Sequence, residues 1–153
     1  MIKEIPKELD YIYHQVKPSP AFPWSVSMVY LAGPVDFTDD AHDWREQVAD
    51  KLLEFNIASF SPPHAFKAGG MADPFVSPRL MAINFAAIWN SDLVFVNLGN
   101  TLSVGTSREI QQAINWGKPV IVVSEKRGHY LSDCLVYPTI DKALEWIFKQ
   151  TVD

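Results

Sequence analysis

Three runs of consecutive apolar residues constrain this chain more than any other feature: SMVYLAG at 27–33, LVFVNLG at 93–99 and VIVV at 120–123. A strand with one wet face alternates apolar and polar residues. A strand without that alternation is covered on both faces, which is the condition of a parallel sheet. Between the runs the apolar spacing turns helical. DDAHDWREQVADKLLEFN carries Trp44, Val48 and Leu52 four residues apart, with Asp39 or Asp40 as its N-cap. Ser77-Pro78 opens PRLMAINFAAIWN, with Ser as cap and Pro at the first helical position. A helix from about Thr106 to Trp116 is stopped by Gly117-Lys118-Pro119, and Thr139 caps IDKALEWIFKQ. IASFSP and CLVYP read as two shorter strands. Five strands alternating with helices predict an α/β domain, a parallel sheet with helices on both faces.

At 153 residues and 48% hydrophobic, the chain supports one core. That domain is placed over 27–153. Residues 1–26 hold Pro6, Pro18, Pro20 and Pro23 and read as an irregular arm, with one short helix near Glu4–Gln15. The net charge is −5 and the 13 basic residues are scattered, which argues against a nucleic-acid polymer as partner. Cys134 stands alone, so it makes no intrachain disulfide and reads as a buried, inert thiol. His14, His42 and His129 lack ligand spacing, so no metal site is expected, and no cofactor either. Without a signal-type leader or a span-length apolar stretch, the reading is a soluble, cytoplasmic protein with no membrane partner.

Ligands of such sheets sit beyond the carboxyl ends of the strands. Three segments fall there: Ala32–Thr38, His64–Ser77 and Leu98–Glu109. The first contains Gly33, Asp36 and Phe37, the second His64, the third Ser103, Gly105 and Glu109. Phe37 offers a ring for stacking, and His64 offers a contact to base or sugar. Glu109 has two readings. Thr106-x-x-Glu109 is formally a capping box, in which the carboxylate merely reaches back to the Thr106 N–H. Alternatively, a carboxylate on the first helical turn at the ligand edge is a nucleophile, with small Gly99, Ser103 and Gly105 leaving room for close approach.

VYLAGPV, NSDLVFVNL and SVGTSREIQQAINWGKPVIVV, in that order from about Val29 to Val123, resemble the nucleoside 2-deoxyribosyltransferase family. That family includes relatives that hydrolyse nucleoside 5′-monophosphates. The resemblance implies a doubly wound, Rossmann- or flavodoxin-like domain. It implies Glu109 as catalytic nucleophile and Tyr30 as the residue that orients its carboxylate. Asn84, eight residues before Asp92, falls where the family contacts the sugar or the leaving base, whereas Asp92 itself reads as a strand-start cap.

The chemistry suits these parts. N-glycosidic cleavage passes through an oxocarbenium-like sugar, which a carboxylate beneath the anomeric carbon stabilises and traps as an ester. Near helix N–H donors such a carboxylate is expected to stay ionised at neutral pH. The departing base needs an acid or a hydrogen-bond donor, and Asn84 and Asp36 are candidates. Six residues before the nucleophile stands Ser103. The resemblance places Ser there in the monophosphate hydrolases and Asp in the nucleoside transferases, so hydrolysis of a 5′-monophosphate is the leading expectation and base exchange the alternative. Acidic GPVDFTDD argues against the phosphate unless Arg45, Lys67 or Arg108 supplies charge. Ser132, two dozen residues past the nucleophile, matches a serine that the family draws from a neighbouring subunit, which implies a homodimer or higher oligomer with shared sites. A non-catalytic nucleotide sensor is a third reading. A phosphoribohydrolase with a PGGxGT loop ranks below it, because NTLSVGTSRE lacks the paired glycines.

Overall fold

The computed structural model of the chain describes residues 26–34, 43–62, 77–99, 103–126, 128 and 131–151. In chain order the elements are β1 (Met28–Ala32), α1 (Asp43–Leu53), β2 (Ala58–Phe60), α2 (Ser77–Trp89), β3 (Leu93–Asn97), α3 (Val104–Asn115), β4 (Val120–Val123), β5 (Leu135–Tyr137) and α4 (Ile140–Thr151). All four strand pairings are parallel, in the order β2-β1-β3-β4-β5. The five-stranded parallel sheet expected from the apolar runs is therefore present, and it is doubly wound as the resemblance implies. The Glu4–Gln15 helix and the Asp39 or Asp40 cap lie outside the described residues.

The apolar runs are explained by where alternate residues go. Val29, Leu31, Leu93, Phe95, Ile121 and Val123 share one buried cluster with Trp44, Val48 and Leu52 of α1 and Ala143, Leu144 and Ile147 of α4. Tyr30, Ala32, Val94, Val96, Val120 and Val122 share the other with Ile88 of α2 and Ile110 and Ala113 of α3. Both faces are covered, so the central strands are apolar at nearly every position, and Asn97 comes only where β3 ends. Burying each large aliphatic contributes about 1.5–3 kcal/mol.

At the amino edge, Asp92 works as the expected strand-start residue. Its Oδ2 accepts from Ser27 N at 2.7 Å, Ser27 Oγ at 2.9 Å and Met28 N at 2.9 Å, which fixes the start of β1 against that of β3. Gly117 ends α3 with φ +72°. Its N–H donates to Ile114 O at 3.0 Å and the Lys118 N–H to Ala113 O at 2.9 Å, the paired bonds of a Schellman motif. Asn56, at φ +59°, ends α1 in the same way.

The start of α3 differs from the sequence expectation. The N-cap is Ser103, not Thr106: the Ser103 Oγ accepts the Thr106 N–H at 3.0 Å. Gly105 is helical rather than punctuation, Thr106 is buried in the first turn, and no Thr106–Glu109 capping box forms. The hydroxyl of Ser103 meets the third helical N–H, as a good cap does, and this draws the helix back by two residues.

Candidate active site

The order β2-β1-β3 makes the carboxyl end of β1 a switch point. The helix that follows β1 covers one face of the sheet and the helices flanking β3 cover the other. Tyr30 sits in β1, fully buried, with its ring stacked on Phe60 at 5.7 Å and 11°. Glu109 projects from the second turn of α3 toward the same place. The Tyr30 hydroxyl donates a short hydrogen bond to Glu109 Oε2. The two residues, 79 apart in sequence, are thus brought together as nucleophile and orienting phenol would be.

Burial raises the Glu109 carboxyl from 4.5 to about 7, and the Tyr30 hydrogen bond and the Arg45 charge pull the other way. Burial, reinforced by the facing carboxylate, holds the Tyr30 hydroxyl well above its ordinary value, so it remains a donor. The sequence expectation of a carboxylate kept ionised by helix N–H groups is corrected here. Glu109 lies beyond the first turn, and its donor is a phenol.

Asn84 lies on α2 one turn before Ile88, in the stripe that faces the sheet, and is 4% exposed. Its Oδ1 is buried and finds no partner among the described residues. An unsatisfied buried carbonyl costs about 1–3 kcal/mol, which a donor from a bound ligand would offset. Gly33 is buried just past β1. A Cβ there would meet Asn97 O at 2.7 Å and the Trp44 ring at 3.1 Å, so the ends of β1 and β3 close only over a glycine. Gly105 is the opposite case: a Cβ would meet nothing within 4 Å. Ser103 caps α3, with its Oγ also 2.6 Å from Thr106 Oγ1. Ser132 is exposed, on the turn ahead of β5. Three strand spacings, about 14 Å, separate β5 from β1, and one chain does not bring Ser132 to the pair. Asp36, Phe37, His64 and Lys67 lie outside the described residues. Arg108 is exposed, with its guanidinium 5.9 Å from the Phe85 ring centroid. Cys134 is buried and its thiol is raised to about 11, the inert state expected of it.

Sequence reasoning missed the role of Arg45, naming it only as possible charge for a phosphate. It is 1% exposed, its Nη2 donates to Gly33 O at 2.9 Å and its Nε to Leu31 O at 3.4 Å, and its guanidinium lies 4.5 Å from the Trp44 ring centroid. The one available signal was its place directly after Trp44, at the start of the buried face of α1. Arg45 and Phe60 also line a depression of about 380 Å³ with Glu46, Asp50, Ser59 and Ser61. Among the described residues no three His, Cys, Asp or Glu side chains converge as a metal site would need, and no helix is long and apolar enough to cross a membrane.

A family profile described as nucleoside 2-deoxyribosyltransferase matches residues 29–149. Among solved structures, the fold is similar to a 2-deoxyribosyltransferase from the psychrotolerant bacterium Bacillus psychrosaccharolyticus, at 19% identity and a TM-score of 0.65, over 83% of this chain and 93% of that one. It is also similar to a conserved protein from Enterococcus faecalis V583, at 18% identity and a TM-score of 0.51, over 82% and 88% of the respective chains. No curated protein matches the sequence.

Proposed function

Because the chain belongs to the nucleoside 2-deoxyribosyltransferase family, we propose that this enzyme breaks the N-glycosidic bond of a 2′-deoxynucleoside and passes the sugar to a second base. The observation that carries the reading is the hydrogen bond from Tyr30 of β1 to Glu109 of α3. The ionised Glu109 oxygen that Tyr30 does not hold attacks the anomeric carbon. The C1′–N bond breaks with its electron pair going to the base nitrogen, which takes up a proton as the base leaves. Tyr30 keeps the carboxylate in one rotamer. The ring nitrogen of an incoming base then attacks C1′, frees the carboxylate and loses its own proton. Asn84 supplies an acceptor for the sugar or the base, and Ser132 reaches the site from a second copy of the chain.

Hydrolysis of a 5′-monophosphate is the second reading. Ser103 in place of an acid, next to the open first-turn N–H groups of α3, favours it. Against it, the Ser103 hydroxyl is already engaged with Thr106 N and Thr106 Oγ1, which leaves it a weaker donor to a phosphate. For this reason base exchange is placed first.

The test is chromatography of products from a panel of deoxynucleosides and 5′-monophosphates, each with and without a second free base. Exchanged nucleoside is expected from the deoxynucleosides, and Glu109→Ala is expected to lower turnover by at least about 10³-fold. Near-native turnover in that variant would sink the mechanism. Free base released only from monophosphates would replace exchange by hydrolysis.

A further inference from the structure

Arg45 stands on α1, the helix that covers the sheet face opposite α3. Its guanidinium reaches around the end of β1 to the carbonyls of Leu31 and Gly33, two residues apart. Gly33 lies past the last ladder residue of β1, so its carbonyl has no strand partner, and the guanidinium satisfies it. A fork with several donors spans two carbonyls in a way that one ammonium does not. The face of Trp44 covers the cation at 4.5 Å, and Trp44 in turn stacks on Phe95 at 6.2 Å, so the arginine is held from below by the core. This is also where a Cβ on Gly33 would approach Asn97 O, Trp44 and Arg45 Nη2 together.

We propose that Arg45 is a positioning residue for this chemistry: it ties down the end of the strand that presents Tyr30, and it sets a buried positive charge facing the Tyr30–Glu109 pair from the opposite layer. The inference rests on the reading of Glu109 as nucleophile. Its electrostatic part follows from which polar and charged groups the elements packed about the pair carry. From β1 comes the neutral phenol of Tyr30. From α2 comes Asn84, which does not titrate. On α3 the neighbouring Arg108 turns outward over Phe85. Ser59 in β2 and Ser61 just past it line the depression beside Arg45, and β3 ends in Asn97, none of which titrates. On α1 itself Glu46 and Asp50 lie at the exposed rim. Among the described residues, Arg45 is therefore the buried cation that opposes the cost of ionising Glu109, in agreement with the direction in which it draws both Glu109 and Tyr30.

The test uses the full chain labelled with ¹³C-glutamate, the Glu109 carboxyl being assigned by loss of its resonance in Glu109→Gln. Arg45→Met is expected to raise the Glu109 midpoint by about one pH unit or more, a tenfold smaller ionised fraction below it, and to move the acid limb of kcat/KM equally. Arg45→Lys retains the charge but not the fork, so the midpoint is expected to stay within about 0.3 unit while kcat falls about tenfold. A folded Arg45→Met with an unmoved midpoint overturns the proposal, whatever its Tm. Should that variant not fold, Arg45→Lys decides: a parental midpoint with reduced kcat supports the proposal, and a parental kcat overturns it. The titration needs no turnover. Activity surviving in Glu109→Gln would therefore sink the nucleophile reading separately from the comparison of midpoints.

Discussion

Under the proposed mechanism, Glu109 couples the chemistry to the stability of the fold. Its carboxyl rises from 4.5 to about 7 on burial, so between these values the folded chain holds the proton more tightly than the unfolded chain. Stability therefore falls as pH climbs through that window, and the loss is complete above about 7. The shift taken whole corresponds to about 3 kcal/mol, and because Glu109 is only partly buried, screening reduces this to roughly 1–2 kcal/mol. Glu109→Gln keeps an acceptor for Tyr30 and removes the charge. It is expected to melt like the parent at pH 5 and about 3–6 °C higher at pH 8, as read by thermal unfolding at both values. An equal difference at the two pH values would show that ionisation of Glu109 costs the fold nothing. The same residue shows how far sequence reasoning reaches. The strand that carries Tyr30 and the motif that carries Glu109 were both legible. The pairing of the two was implied by the family resemblance alone and not by the local pattern, which a capping box fits equally well until the register of α3 is known.

That register belongs to the element scale. In the sequence, Gly105-Thr106 looks like an interruption, because glycine is a poor helix former and Thr a good cap. Ser103 settles the competition by capping three residues earlier. Gly105 then occupies a helical position where a methyl group would touch nothing. Packing gives no reason for a glycine there, and helix propensity disfavours it by up to about 1 kcal/mol. Under the proposed function, a ligand passing over the first turn of α3 would supply the missing reason. Gly105→Ala is expected to stabilise the fold by about 0.5–1 kcal/mol in urea unfolding and to raise KM for the sugar donor about tenfold or more, since the methyl would stand where substrate passes. A stabilised variant with parental KM would place the substrate elsewhere. Gly33 makes the contrast: there the backbone of β3 itself excludes a side chain, and substitution is a matter of folding.

At the scale of the whole molecule, the layered sheet was the most legible feature, because continuous apolar runs such as LVFVN have one physical solution: two covered faces, seen here as two clusters split by residue parity. Arg45 was illegible for the converse reason. An arginine on an amphipathic helix reads as solvated, and only the path of β1 reveals carbonyls waiting for it. Ser132 poses the remaining question of assembly. It is exposed, and the strand order keeps it from its own chain's Glu109, so a role in the site requires a second copy. In that case the two defects complement. A dimer made of one Glu109→Ala chain and one Ser132→Ala chain has one site carrying both lesions and one site carrying neither. Random re-pairing after mild dissociation makes half the dimers hybrid, each with one intact site, so the mixture is expected to regain about a quarter of wild-type activity. Rates are compared before and after subunit exchange, with the mass of the exchanged species followed by native mass spectrometry. Activity that remains the average of the two parents, although hybrids have formed, would show that each chain builds its site alone and that Ser132 does not serve its neighbour.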